Sequence, residues 1–228
     1  MTSVCPAVNR LSAAHGRVFR GPPARPAATV SGMEAGSADG SGADHRAAFR
    51  DAALQLWADA GWAAVTVPAV CAATGLTEAD FAAAYDSPED LLGEVFDEGT
   101  EERTALVLRA MEAAPRNRIA QIRAGLDALA GFFERDPRQV VALAEAIGCP
   151  PLRRRRRATT QGFAALIGAE TSRLPNPPDP REVRAAAQFC IAGFHELLFA
   201  WFDPDSPVDR DLVVDHAARL FEACLSVR

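Results

Sequence analysis

His195 and Glu196 are the first residues to weigh for chemistry, because a His-Glu pair on a helix opens a common zinc-hydrolase signature. That chemistry needs a second imidazole four residues after the first. Phe199 stands there, so the pair cannot hold zinc in that way. The cysteines offer no substitute. Cys5, Cys71, Cys149, Cys190 and Cys224 are odd in number and far apart, with no CxxC spacing. Zinc, redox and disulfide-framework readings therefore fail, which leaves buried free thiols in a reducing compartment. No Ser/His/Asp or Cys/His arrangement and no phosphate loop is present, so no enzyme, metal or cofactor is expected, although acid and base residues that converge only in the fold stay open. Arg153–Arg157 is a run of five arginines that would suit a phosphate or nucleic-acid patch. Consecutive residues spread around a helix axis, however, so solvation or pairing with neighbouring acids is the expectation.

The elements that must position such residues follow from composition and punctuation. The chain has 228 residues, 49% of them hydrophobic, enough for a buried core in one or two domains. No apolar run approaches the roughly 18 residues of a membrane span, and a cytoplasmic protein is expected. All 24 basic residues are arginine, a composition that fits a GC-rich genome better than a binding design. Residues 1–43 are rich in Ala, Gly, Pro and Ser without periodicity, and a disordered tail is predicted there. Two readings of it remain open. Arg10, Arg17, Arg20 and Arg25 form an arm that adds phosphate contacts, or they belong to a segment without a role, either an inert tail or 32 residues preceding a true start at Met33.

From Asp44 onward every segment reads as helix, so the class is all-α. The first helix spans about 44–60, with Phe49, Ala53, Leu56 and Trp57 on one face and Gly61 at its end. A short helix follows Thr66, with Pro68 in its first turn, and Gly75 breaks it. Thr77 caps a third helix ending near Tyr85. Ser87-Pro88-Glu89-Asp90 starts a fourth that should reach Ala113. Later helices are expected at about 116–135, after Pro137, at 152–174, 181–202 and 209–227, with an extended proline-rich loop at 175–180.

Residues 65–85 have the order of a helix-turn-helix: a supporting helix from Thr66, a Gly75-Leu76-Thr77 turn, and a second helix placed to enter the major groove. The skeleton AALQLWADAGW…TV…V…ATGLT…F…Y.S.EDLL resembles the three-helix head of the TetR/AcrR regulators, and AGFHELLFAWF resembles that family's dimerisation helix. The resemblance covers about residues 45–228. It implies a TetR-like fold, with a helix-turn-helix head at 44–92 and a helical effector-binding and dimerisation domain at 93–228. It also implies a homodimeric repressor that binds palindromic operator DNA and is released by a small apolar effector. The alternative is a ligand-binding or interaction protein of the same fold that has lost DNA binding.

The head departs from the family at its DNA-facing positions. Between Asp44 and Leu92 there are two arginines, 46 and 50, against eight acids, so the whole-chain charge of −6 sits in the region expected to touch phosphates. The family's usual phosphate-binding tyrosine and lysine are replaced by Ala82 and Pro88. The expected DNA-facing set is therefore Arg46, Arg50, Thr66, Thr77, Glu78, Ala79, Ala82 and Ala83. Asp80, three residues after Thr77, completes a capping box, and Glu78 meets the helix dipole.

In the second half, AAAQFCIAGFHELLFAWF is apolar nearly all round and must be covered on more than one side. A four-helix bundle built from two helices of each subunit satisfies this, with Phe194, Leu197, Trp201, Ala217 and Phe221 expected at the interface. Phe132, Phe133, Phe163 and Phe189 are the expected lining of an apolar ligand pocket, with plain core packing as the competing reading.

Overall fold

In the computed structural model, residues 38–171 and 178–225 are described. The α-helices among them are α1 Ala38–Ala60, α2 Val67–Thr74, α3 Glu78–Ala84, α4 Pro88–Ala113, α5 Arg118–Arg135, α6 Arg138–Glu145, α7 Arg153–Thr171, α8 Pro180–Trp201 and α9 Ala217–Leu225. A 3-10 turn, Trp62–Ala64, follows α1, and a π-helical turn, Leu212–His216, leads into α9. No strand occurs among the described residues. Helix α1 begins at Ala38, so Ala38–Ala43 belongs to it rather than to the tail expected at 1–43. Residues 1–37 and residues 175–177 of the proline-rich loop lie outside the described residues.

The chain divides into two compact units between Val95 and Phe96, against an expected division after Leu92. In the first unit α1 packs on α2, on the 3-10 turn and on α3. Its core centres on Phe49, Ala53 and Trp57, all fully buried. Phe49 meets Phe81 edge-on at 5.4 Å and Tyr85 at 6.3 Å, so α3 is held to α1 by aromatic contacts.

The local chemistry agrees with the caps read from the sequence. Thr66 caps α2 and accepts a hydrogen bond from the Ala69 amide at 3.4 Å, with proline in the first turn. Gly75 ends α2 at φ 72°, a left-handed backbone that a side chain would strain. The Thr77–Asp80 capping box is complete: the Asp80 amide donates to Thr77 Oγ1 at 3.1 Å, and the Thr77 amide donates to Asp80 Oδ2 at 2.9 Å.

In the second unit α7 lies along α8, while α9 and the π-helical turn pack on α5 and α8. The core includes Phe133, Val140, Leu152, Leu198 and Val213, each fully buried or nearly so. Close approach of α4 to α5 depends on Gly125, where an added Cβ would sit 3.0 Å from Met111 Cγ. Arg210 bridges Asp127 at 2.9 Å and Glu134 at 3.2 Å, and Arg123 pairs with Asp215. These exposed pairs add little stability individually.

Candidate nucleic-acid interface

The second helix of the helix-turn-helix, α3, divides its faces cleanly. Phe81 is 3% exposed and turns inward. Glu78, Ala79, Ala82 and Ala83 are exposed and turn outward together. The outward surface is thus three methyl groups and one carboxylate. Alanine methyls can pack on thymine methyls, and a carboxylate can accept from a cytosine amino group, but neither neutralises a phosphate. Thr66 and Thr77 are also exposed, each at the N-terminus of its helix, where backbone N–H groups favour an anion. The Thr77 hydroxyl is already committed, donating to Asp80 Oδ2 at 2.6 Å. That bond and the one from the Thr77 amide hold the Asp80 carboxyl below its ordinary pKa, so the charge persists beside the reading surface.

The two arginines of the head do not face outward as free charges. Arg50 Nη1 donates to Glu94 Oε1 at 2.8 Å, and Arg46 Nη2 donates to the other oxygen of the same carboxylate. Arg46 Nη1 also donates to the carbonyl of Ala84 at the end of α3. Its guanidinium lies 4.4 Å from the centre of the Tyr85 ring. One glutamate therefore binds both of the cations expected for DNA. Sequence reading missed Glu94, which lies 48 residues from Arg46 and beyond the segment in which charges were balanced. Burial, and then the Glu94 charge, raises the Tyr85 hydroxyl above its ordinary pKa, consistent with a structural ring rather than a phosphate contact.

The residues expected in the second unit separate into two groups. Phe132 and Phe133 meet edge-on at 5.1 Å and are 3% and 1% exposed, with Phe163 half-buried on α7. Phe189 is instead 72% exposed. Phe194 and Ala217 are 3% and 1% exposed, already spent on packing within the protomer, Phe194 against Phe221 at 6.5 Å. Leu197, Trp201 and Phe221 are half-buried. The outward apolar groups of the last helices are Phe189, Leu212 and Leu220.

The arginine run also divides. Arg155 pairs with Asp97, Arg156 is half-buried, and Arg153, Arg154 and Arg157 are exposed. Cys71, Cys149 and Cys190 are buried free thiols, and burial with the neighbouring Cys224 pushes Cys190 up to about 12. No helix among the described residues is long and apolar enough to cross a membrane, and no three His, Cys, Asp or Glu residues cluster as metal ligands there.

Residues 120–225 match the family model described as tetracyclin repressor-like, C-terminal domain. This stretch belongs to the TetR C-terminal domain family, and the fold of the chain is TetR-like. Solved structures agree on that fold. The fatty acid degradation regulator FadR from Bacillus halodurans is similar with a TM-score of 0.66 at 18% identity, covering 86% of this chain and 100% of that one. PfmR, a TetR family transcriptional regulator from Thermus thermophilus, gives 0.53 at 22% identity, covering 79% and 99%. AibR, solved with isovaleryl coenzyme A and operator DNA, gives 0.58 at 19% identity, covering 76% and 96%. No curated protein sequence matches the chain.

Proposed function

We propose that this chain is a homodimeric DNA-binding regulator of the TetR family, a repressor released when a small, largely apolar ligand enters its C-terminal unit. The observation that carries the reading is the helix-turn-helix itself. Both of its helices are correctly capped, and the α3 surface of Glu78, Ala79, Ala82 and Ala83 is left uncovered for a major groove. The ligand role is supported by the paired rings of Phe132 and Phe133 and by AibR, whose structure was solved with isovaleryl coenzyme A and operator DNA. Two heads about 34 Å apart would read a palindrome. A ligand that prefers one of two dimer states would spoil that spacing by its difference in affinity. The test is a gel shift with the DNA flanking the chain's own gene. Specific retardation reversed by an apolar compound is expected, and no retardation even at low salt would overturn the reading.

That last outcome belongs to the second reading, a ligand-binding protein of the same fold that no longer binds DNA. The specific observation in its favour is the pairing of Arg46 and Arg50 with Glu94. Restoring Ala82→Tyr and Pro88→Lys together separates the two, since affinity that appears only in the variant establishes the loss.

The dimer is proposed to form through the outward face of α8 and α9. Phe189 stands there among Ala185, Ala192 and Gly193, all exposed, with Leu212 and Leu220 exposed on the following segment. Small residues around one large aromatic let two helices approach closely while the ring fills the seam. Phe189→Glu is expected to give a folded monomer at micromolar concentration, because the side chain is not part of the protomer's own core. Sedimentation of the wild type as a monomer, or of this variant as an unchanged dimer, would refute the assignment.

A further inference from the structure

Helix α4 carries Phe96, Gly99, Thr100 and Arg103 at spacings of three and four, so they share one face. Arg103 lies on it only 6% exposed. Its Nη2 donates to Thr100 Oγ1 at 2.5 Å, and its guanidinium carbon is 5.5 Å from the centre of the Phe96 ring. Among the described residues no carboxylate pairs with it. A guanidinium has five N–H donors, and a buried one is ordinarily neutralised by an acid, because an unpaired buried charge is costly.

His195 on α8 belongs to the same neighbourhood. Its ring stacks on Phe199 with centroids 6.2 Å apart and meets Phe194 at 6.5 Å. Burial, and then the charges of Arg103 and Arg156, depress it to about 4, so it is neutral at pH 7 and keeps one N–H donor. Arg156, half-buried on α7, is itself held below its ordinary pKa by burial and by Arg157. The charges of Arg103 and Arg156 thus both reach the His195 ring, which lies between Phe194 and Phe199, and among the described residues no acid pairs with Arg103.

Among the described residues neither ring nitrogen of His195 makes a hydrogen bond, and Arg103 donates only to Thr100.

We infer that Arg103, with His195 and Arg156, receives the anionic head of the ligand, and that the ligand is a carboxylate carried on an apolar body. This rests on the reading that the C-terminal unit takes a small ligand, and it names that ligand's class. The planar guanidinium fork matches the two oxygens of a carboxylate. The neutral imidazole supplies a further donor, and Phe96, Phe194 and Phe199 supply the apolar wall. A monoanion neutralises the charge that the fold leaves unpaired at Arg103.

Calorimetry and thermal shift on the full chain test this with butyrate, octanoate and palmitate, the matching alcohols, acetate and inorganic phosphate. At least one of the longer carboxylates is expected to bind about tenfold or more tighter than its alcohol, and Arg103→Met is expected to remove that advantage while leaving alcohol binding unchanged. Arg103→Met should fold, since an apolar chain of similar length replaces an unpaired buried charge. If it does not, Arg103→Lys keeps the charge without the fork and is expected to lose about tenfold for the carboxylate alone. Equal binding of acid and alcohol, full carboxylate affinity in either variant, no carboxylate binding, or acetate or phosphate binding as tightly as the longer acids would each overturn the inference. The regulator reading fails separately. Its failure is absence of operator binding in the unliganded protein, which calorimetry with carboxylates does not measure.

Discussion

Raising monovalent salt from about 50 to about 200 mM is expected to weaken the proposed operator complex by less than about tenfold, whereas a protein that neutralises six to ten phosphates loses about 10³–10⁵ over that span. The reason is Glu94. It binds Arg46 and Arg50, and the outward face of α3 contributes no cation. What remains for phosphates is chiefly the backbone N–H groups at the starts of α2 and α3, which release few counterions. Glu94→Ala makes the opposite prediction from the same geometry. It frees two arginines per head, and the slope of log affinity against log salt should steepen toward about −4 for a dimer, at about −0.9 per neutralised phosphate. The same salt step then costs about a hundredfold. Fluorescence anisotropy across a salt series measures both slopes. A wild-type slope near −8 would mean that cations other than Arg46 and Arg50 dominate, and the charge assignment of this head would be wrong.

Trp57→Ala is expected to destabilise the head by about 3–5 kcal/mol, the usual cost of emptying the site of a large core aromatic. Trp57 is 0% exposed and is the largest fully buried side chain among the described residues. With a urea dependence of about 1–3 kcal/mol per molar, the unfolding midpoint should fall by roughly 2 M. A loss below about 1 kcal/mol would show that the surrounding helices collapse into the vacated space. Leu56, its neighbour in sequence, is only half-buried, and the same truncation there should cost distinctly less.

What could be read from the sequence was what local chemistry decides. The α2 and α3 boundaries follow from Thr66, Gly75, Thr77 and Asp80, whose preferences act within a few residues of backbone. The start of α1 was placed six residues too late, because Gly40, Ser41 and Gly42 are poor helix formers and read as tail, yet the helix runs through them from Ala38. The candidate sites were less legible because their partners are distant in sequence. Arg46 and Glu94 are 48 residues apart, and nothing local to either shows that they meet. Arg103 passed unnoticed for another reason. An arginine in a helix ordinarily faces water, and only its position one and two turns beyond Thr100 and Phe96 marks it as inward. Phe189 falls within an apolar run but is 72% exposed, and periodicity alone does not say whether such a run is covered by its own chain or by another.

The separation of faces on α3 has an evolutionary consequence. Phe81 and Tyr85 anchor the helix, while the positions that would meet base edges carry no packing duty. In the proposed operator complex, substitutions at Ala79, Ala82 and Ala83 would therefore change which base pairs are preferred at almost no cost in folding free energy. A lineage carrying this head could acquire a new target sequence one residue at a time and remain folded at every intermediate.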